Sequence, residues 1–173
     1  MVKKNNWIYK VFLLTFFLSI MFSTITNLIA YNTNQLVIFI ILVLVIATGI
    51  IFDMIGASSF TSKEATFHAM ASRKIKGAKE TVNLIRNNVK ISSFCNDVVG
   101  DICGIVSGGL GAVLAGSLSE STSLSITVTS IIIAAFISAF TVGGKAIFKG
   151  VAINNSDKII FMIGRIKCFL KLK

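Results

Sequence analysis

Two carboxylates four residues apart are the residues of this sequence best suited to chemistry. Asp97 and Asp101 lie in an apolar segment that reads Ser-Ser-Phe-Cys-Asn-Asp-Val-Val-Gly-Asp from Ser92. Residues at this spacing share one face of an α-helix, and Asp101 would lie about 15 Å from the basic end of the segment. A charge inside a membrane costs at least about 2.5 kcal/mol. We therefore expect both acids to face the protein interior, protonated, paired or bound to a cation.

Other oxygen-bearing side chains complete this pattern. Asp53, Ser92, Ser93 and Asn96 would form an oxygen-rich cluster with the two acids. Hard cations such as Mg²⁺ prefer such ligands, so the cluster predicts a metal site for Mg²⁺. The alternative is an ion pair between Asp53 and Lys145 at the inner membrane interface, with Asp97 or Asp101 protonated or hydrogen-bonded between helices.

Glycines follow the acids on the same segment. Gly100, Gly104 and Gly108 recur every four residues. A strip of small residues lets helix backbones approach closely, so we expect these glycines to pack helices within or between subunits.

No enzyme chemistry is indicated. The one histidine, His68, has no nearby ligand partner, and the three cysteines lack metal-ligand spacing. The sequence contains no Ser/His/Asp set, phosphate-binding glycine loop or redox cysteine pair. We predict a protein that is not an enzyme.

The elements that must position these residues are membrane helices. Of 173 residues, 54% are hydrophobic and 14% charged, and the mean hydropathy is +0.85. A chain of this composition has more apolar surface than the core of a soluble domain of this size can bury. Stretches of about 20 apolar residues, enough to cross a bilayer, lie at 11–30, 36–56, 91–116 and 124–144. The prediction is an all-α, polytopic membrane protein with four transmembrane helices.

The basic residues predict the topology. All 17 lysines and arginines precede the first stretch, follow the fourth, or lie at 57–90, and none lies in the loops 31–35 and 117–123. The positive-inside rule then places both termini and the middle loop in the cytoplasm, in the cell membrane. The charge of +10 indicates anionic lipid rather than nucleic acid. The first stretch could instead be a cleaved signal peptide, but it lacks the small residue that cleavage prefers, and we favour a retained helix.

Three parts follow from this organisation. Residues 1–35 form an N-terminal transmembrane helix and a short outside loop. Residues 36–153 form a three-span domain with a cytoplasmic helical loop at 57–90. Residues 154–173 form a basic amphipathic tail. The loop and the tail show helical periodicity, so we expect helices along the inner membrane surface. In the loop this is either one helix or two short helices broken near Gly77.

The order of several short segments resembles a known family. The segments are Thr-Ser-Lys-Glu-Ala from Thr61, Ala-Ser-Arg-Lys-Ile-Lys-Gly-Ala-Lys from Ala71, Leu-Ile-Arg-Asn from Leu84, the glycine-rich span with two polar residues four apart, and Gly-Lys-Ala-Ile-Phe-Lys from Gly144. Over residues 36–166 the chain resembles the transmembrane domain of the CorB/CorC and cyclin-M magnesium transporters. The resemblance implies three family-like spans, a cytoplasmic juxtamembrane helical belt, a homodimer and Mg²⁺ held between the spans. One added N-terminal helix would move the N-terminus inside.

Several individual residues match positions in the family's sequence elements. Glu64 matches the acid of the family's Ser-Gly-x-Glu element, and Asp97 and Asp101 match its pair of asparagines four apart. Gly144 and Lys149 match the ends of its Gly-Glu-x-x-Pro-Lys element.

The chain also departs from the family. Lys145 stands where the last element has glutamate and Phe148 where it has proline, and we expect no nucleotide-binding CBS modules after the membrane domain. A lysine can occupy the place of a cation, so Lys145 with Asp97 could replace the bound ion.

The leading prediction is transport or sensing of Mg²⁺ or a similar divalent cation. One alternative is a non-transporting scaffold or regulatory subunit that pairs through the glycine strip. Another is a small pore or holin-like protein, suggested by size and the basic tail, which intramembrane acids fit poorly.

Overall fold

Helices make up all the regular structure in the part of the chain that the structure describes. The structure is a computed structural model and describes residues 2–31 and 33–171. The elements are α1 (Val2–Tyr31), α2 (Gln35–Thr61), α3 (Glu64–Ser72), α4 (Ala78–Arg86), α5 (Asn88–Ser93), a π-helical segment (Phe94–Gly100), α6 (Asp101–Ser121), α7 (Ile126–Asn154) and α8 (Ser156–Lys171). The predicted all-α fold is confirmed for these residues.

Three helices are long and apolar enough to cross a membrane. They are Gln35–Thr61, Asn88–Ser121 and Ile126–Asn154, with 27, 34 and 29 residues. At 1.5 Å per residue each is about 40 Å long or more, whereas the hydrocarbon core is about 30 Å thick. The sequence has no proline, so no helix must kink to satisfy its backbone. The prediction of a membrane protein is confirmed at this level.

The first helix, α1, has a shorter apolar stretch among its described side chains, Phe12–Thr26. It packs along α6. Leu18 contacts the apolar core there, and the buried hydroxyl of Thr26 donates to the Phe22 carbonyl at 2.7 Å. A fourth span therefore stays a prediction.

The chain divides into two compact units, and the first comprises Met1–Gly49 and Val98–Gly144. Its core consists of aliphatic side chains of α2, the π-helical segment and α6: Ile38, Leu42, Val98, Ile102, Val106, Leu110 and Leu114. The members from Val98 onward recur every four residues. Because lipid is as apolar as leucine, close packing rather than transfer from water holds such a core together.

Two glycines of the first unit allow helices to approach closely. A Cβ atom on Gly49 of α2 would lie 3.1 Å from the Cβ atom of Cys103 on α6. A Cβ atom on Gly111 of α6 would meet the side chain of Ile137 on α7. A Cβ atom at either position would require the neighbouring side chain to shift.

The predicted glycine strip has a different environment. Gly100 is buried, but a Cβ atom on Gly104 or Gly108 would have nothing within 4 Å. These two glycines do not pack helices within one described chain. Packing between subunits stays a prediction.

The second unit comprises Ile50–Asp97 and Lys145–Lys173. Here α4 packs against both α3 and α8. The buried core contains Phe67, Val82, Leu84, Ile85 and Ile160. The ring of Phe67 stacks on that of Phe161 with 6.0 Å between centroids.

The loop predicted to be helical contains two short helices, α3 and α4, as in the alternative with a break near Gly77. Gly77 has φ of +90°, a conformation that side chains other than glycine rarely adopt. A Cβ atom there would also lie 2.9 Å from the Cα atom of Arg165. Glycine is thus required both by the turn and by the approach of α8.

The C-terminal tail folds back as α8. Ile160 is completely buried, and the backbone N–H of Lys63 donates to the Asp157 carboxylate at 3.3 Å. Along the chain, one unit changes to the other within α2, the π-helical segment and α7, whereas the division predicted from the sequence lies at 35/36 and 153/154.

Candidate cation site

The stretch that contains the predicted acids is not a regular α-helix. Residues Phe94–Gly100 form a π-helix between α5 and α6. A π-helix bonds each residue to the one five positions on, and such segments occur frequently at functional sites. Asp97 lies inside this segment and Asp101 directly after it. Their four-residue spacing therefore does not place them on one face, as it would in a regular α-helix.

Both acids differ from the expectation that they face the protein interior. Asp97 and Asp101 are exposed in the single chain. Asp97 belongs to the second unit and Asp101 to the first. The expectation assumed α-helical periodicity, and the π-helical turns change which side chains face the neighbouring helices.

Asn96 is half-buried and has one enclosed side-chain oxygen. Its side-chain Oδ1 is buried and has no hydrogen-bond partner in the described part of the chain. Its Nδ2 donates to Ser92 Oγ at 3.3 Å. A Cβ atom on Gly56 of α2 would meet Asn96 Oδ1 and would lie 3.1 Å from Asn96 Cγ. The amide therefore fills the space that glycine leaves.

The unpartnered oxygen has an energetic cost. A buried acceptor without a donor costs about 1–3 kcal/mol, and each such atom calls for an explanation. Among the described side chains the other case is Thr141 Oγ1 in the first unit. A cation near Asn96 Oδ1 would remove the cost, because amide oxygens are ordinary ligands of hard cations.

A carboxylate lies one turn from Gly56. Asp53 precedes Gly56 by three residues on α2 and is half-buried. Residues three apart are neighbours on a helix surface, with Cβ atoms about 5–6 Å apart. Ser92 is buried and Ser93 half-buried. Asp53, Asn96 and these serines all belong to the second unit.

No dense acidic cluster accompanies these residues. The described side chains contain no group of three or more His, Cys, Asp or Glu residues that could hold a metal ion. The predicted ligands Asp53, Glu64, Asp97 and Asp101 therefore do not come together as a set. Mg²⁺ does not require this, because it usually keeps several waters and binds one or two carboxylates.

Glu64 has two side chains of the protein as partners, Arg86 and His68. Arg86 Nε donates to Glu64 Oε1 at 2.6 Å, and His68 Nε2 lies 2.8 Å from the same oxygen. The hydrogen bond from Arg86, followed by that from His68, lowers the pKa of the Glu64 carboxyl below its ordinary value. The contact connects the start of α3 with the end of α4. The role of Glu64 as a cation ligand stays a prediction.

Lys145 is half-buried on α7. The ion pairs among the described residues involve Glu64 with His68 and Arg86, so Lys145 is not paired with Asp53 or Asp97 there. The proposed replacement of a bound ion by Lys145 stays a prediction without an observed contact.

Sequence reasoning did not single out the polar end of α2. Gly56 accommodates Asn96, and the following Ser58 and Ser59 are completely buried. Ser58 Oγ donates to the Met54 carbonyl at 2.8 Å and lies 3.5 Å from the Ala152 carbonyl of α7. The signal was present as Gly-Ala-Ser-Ser at the end of an apolar run.

Comparison with known proteins finds no match that could assign a role to these residues. No protein-family model matches the chain, and neither a curated protein nor a solved structure matches it. The resemblance to the magnesium transporters therefore stays a prediction from short segments.

Proposed function

We propose that this protein moves or senses Mg²⁺ or a similar divalent cation across the cell membrane. The observation that carries the proposal is the buried, unpartnered Oδ1 of Asn96 beside Gly56. Asp53 supplies the nearest negative charge along α2, and Asp97 follows Asn96 in the π-helical segment.

The chemistry of these groups favours a hard divalent cation. The amide, hydroxyl and carboxylate oxygens in this region suit Mg²⁺, whereas softer metals prefer sulfur and imidazole. An ion that is only partly dehydrated, with one or two carboxylates, can bind and leave again. Asp101, Ser93 and Glu64 remain candidates for neighbouring steps on the path of the ion.

The proposed topology has four spans with both termini in the cytoplasm. The distribution of basic residues supports it, as does the packing of the 30-residue helix α1 along α6. Asp53 lies close to the cytoplasmic end of α2 in this topology. Cytoplasmic cations would reach it first.

Calorimetry on the detergent-purified protein tests the cation site. We expect saturable Mg²⁺ binding, and at least about tenfold weaker binding after Asp53→Asn or Asn96→Leu, equivalent to about 1.4 kcal/mol. Glu120→Gln is the matched control for the lost charge and Asn83→Leu for the lost amide, because both residues are exposed on other helices. Both controls should bind as the parent protein does.

A measurement of Mg²⁺ flux into liposomes distinguishes transport from sensing. Purified protein that binds Mg²⁺ should also carry it into liposomes containing a Mg²⁺-sensitive dye, and Asp53→Asn should abolish that flux. Binding without flux would leave sensing as the function. If the parent protein does not bind Mg²⁺, the proposal fails and the scaffold alternative is favoured. Dye leakage regardless of ion would indicate a pore.

A further inference from the structure

The last helix, α8, has an apolar surface that faces away from the protein. Met162, Ile166, Phe169 and Leu170 are 56, 50, 74 and 69% exposed. Their spacing of four, three and one places them along one side of the helix. The opposite side carries Ile160, which is completely buried in the second unit. Both sides of α8 are therefore apolar, and only one is covered by the described chain.

Basic residues border this outer surface. At 100° per residue, Lys158 and Arg165 lie along one edge of the apolar stripe. Lys167 lies past the other edge, on the side of Ile160 and about two turns further along the helix. All three side chains are exposed. Asp157, the acid of this helix, is half-buried and accepts the Lys63 N–H. The exposed side chains of α8 therefore include three cations, two of them at the edge of the stripe, and no acid among those that the structure describes.

The position of α8 in the chain is also informative. One residue, Asn155, separates α8 from α7, and α7 is long and apolar enough to cross a membrane. A helix that starts where a span ends begins at the membrane interface. An apolar stripe with cations at its edges is typical of helices that lie in that interface.

A second copy of this chain fits the surface less well. Two copies in symmetric contact would bring the same residues together, and here these include Lys158 and Arg165 at the edge of the stripe. Like charges in contact repel each other. Phospholipid headgroups offer the opposite charge, and long basic side chains can reach them while their stems cover apolar surface.

We propose that the outer surface of α8 binds the anionic membrane surface. Met162, Ile166, Phe169 and Leu170 insert at the boundary between headgroups and acyl chains, and Lys158, Arg165 and Lys167 bind lipid phosphates. This contact is independent of the proposed cation site and stands if the protein carries no ion.

Site-directed fluorescence in nanodiscs tests the contact on the full chain. An environment-sensitive dye is attached to Phe169→Cys or Met162→Cys after replacement of the native cysteines. Asn83→Cys on the exposed surface of α4 is the control. In nanodiscs of phosphatidylcholine and phosphatidylglycerol, acrylamide quenching at 169 and 162 should be at least about fivefold weaker than at 83. Lipids spin-labelled on the acyl chain should quench the dye at 169 and 162.

The charged part of the contact is tested separately. Combined Lys158→Gln, Arg165→Gln and Lys167→Gln should reduce the binding of phosphatidylglycerol, measured by native mass spectrometry, by about fivefold for each cation. Combined Lys74→Gln, Lys76→Gln and Lys79→Gln removes equal charge from an exposed turn region and should leave acyl-chain quenching at 169 unchanged. Circular dichroism checks that each variant keeps its helices.

Two results would overturn the proposal. Acrylamide could quench the dye at 169 as strongly as at 83, which would place α8 in water. Alternatively, the dye could be protected from acrylamide and from spin-labelled lipid, with energy transfer between labelled chains, which would identify a second copy as the occupant.

Discussion

At the scale of single residues, the contact between Asn96 and Gly56 is the most informative. Asn96 contributes a buried oxygen without a partner in the described part of the chain, and the absent side chain of Gly56 leaves room for the amide. Buried polar atoms are costly unless a partner is supplied. A cation that enters from the aqueous phase can be that partner, and the proposed cation site rests on this contact.

Substitution of Gly56 should disturb the site directly. The new Cβ atom of Gly56→Ala would meet Asn96 Oδ1, so the amide must move. We expect Mg²⁺ binding to be lost and the protein to be less stable by about 1–3 kcal/mol, as for other overpacked positions. Thermal unfolding and calorimetry measure the two effects. Gly150→Ala on α7, where a Cβ atom has nothing within 4 Å, should change neither.

The Glu64 contact predicts a dependence of stability on pH. Its lowered carboxyl pKa means that the contact stabilises the fold above the ordinary value of 4.5 and that this contribution is lost as pH falls through the folded-state pKa. Glu64→Gln should lower the melting temperature slightly at neutral pH, because water screens an exposed pair.

The difference between Glu64→Gln and the parent protein should disappear in acid. Melting temperatures of both proteins across the acid range test this. A difference that stayed constant down to the lowest pH would show that the carboxylate charge contributes nothing.

At the scale of elements, the candidate span that contains the acids differs most from a regular helix. It comprises α5, the π-helical segment and α6 over Asn88–Ser121. The π-helical turns lie beside the polar residues and the regular helix carries the glycine strip. On the outward side of α6, Gly104 and Gly108 have open space around them. Small residues on an open side leave room for a helix of another subunit.

Bulky side chains in the strip should affect assembly and not the fold of one chain. We propose a homodimer in which α6 contacts its counterpart at Gly104 and Gly108. Gly108→Leu should weaken dimerisation at least about tenfold, or about 1.4 kcal/mol, because leucine holds the helix backbones apart. Light scattering of the purified protein measures the mass.

Matched variants distinguish assembly from folding. Gly150→Leu places the same side chain in open space on α7 and should remain dimeric. Gly111→Ala meets Ile137 inside the chain and should lower the melting temperature instead. A parent protein that is monomeric in detergent and in nanodiscs would contradict the homodimer.

At the scale of the whole molecule, apolar surface determines where the protein resides. Three helices are long and apolar enough to cross a membrane, and we expect the basic residues to mark its cytoplasmic side. The four-span topology follows only if α1 also crosses.

Fusion proteins test the topology of the whole chain. We expect alkaline phosphatase, which is active only outside the cytoplasm, to be active when inserted in the loops 31–35 and 117–123 and inactive at 73–77 or at the C-terminus. Green fluorescent protein at the C-terminus should be fluorescent. Phosphatase activity at the C-terminus would refute the four-span arrangement.

Much of the fold was predictable because it depends on local chemistry. Apolar length, helical periodicity and the absence of proline predicted long membrane helices, since lipid leaves the backbone no other way to satisfy its hydrogen bonds. The break near Gly77 was also predictable, because glycine interrupts an otherwise periodic segment. These features depend only on residues that are close together in the sequence.

The candidate site depended on contacts that a single helix does not reveal. Periodicity assumed a regular α-helix at Asp97 and Asp101, and the π-helical segment exposes both. The place of Asn96 against Gly56 and the return of α8 onto α4 each join residues far apart in sequence. The sequence alone determined that this is an all-helical membrane protein with acids in a span. Only tertiary packing decided which polar atom is buried without a partner, because burial depends on the side chains of other helices.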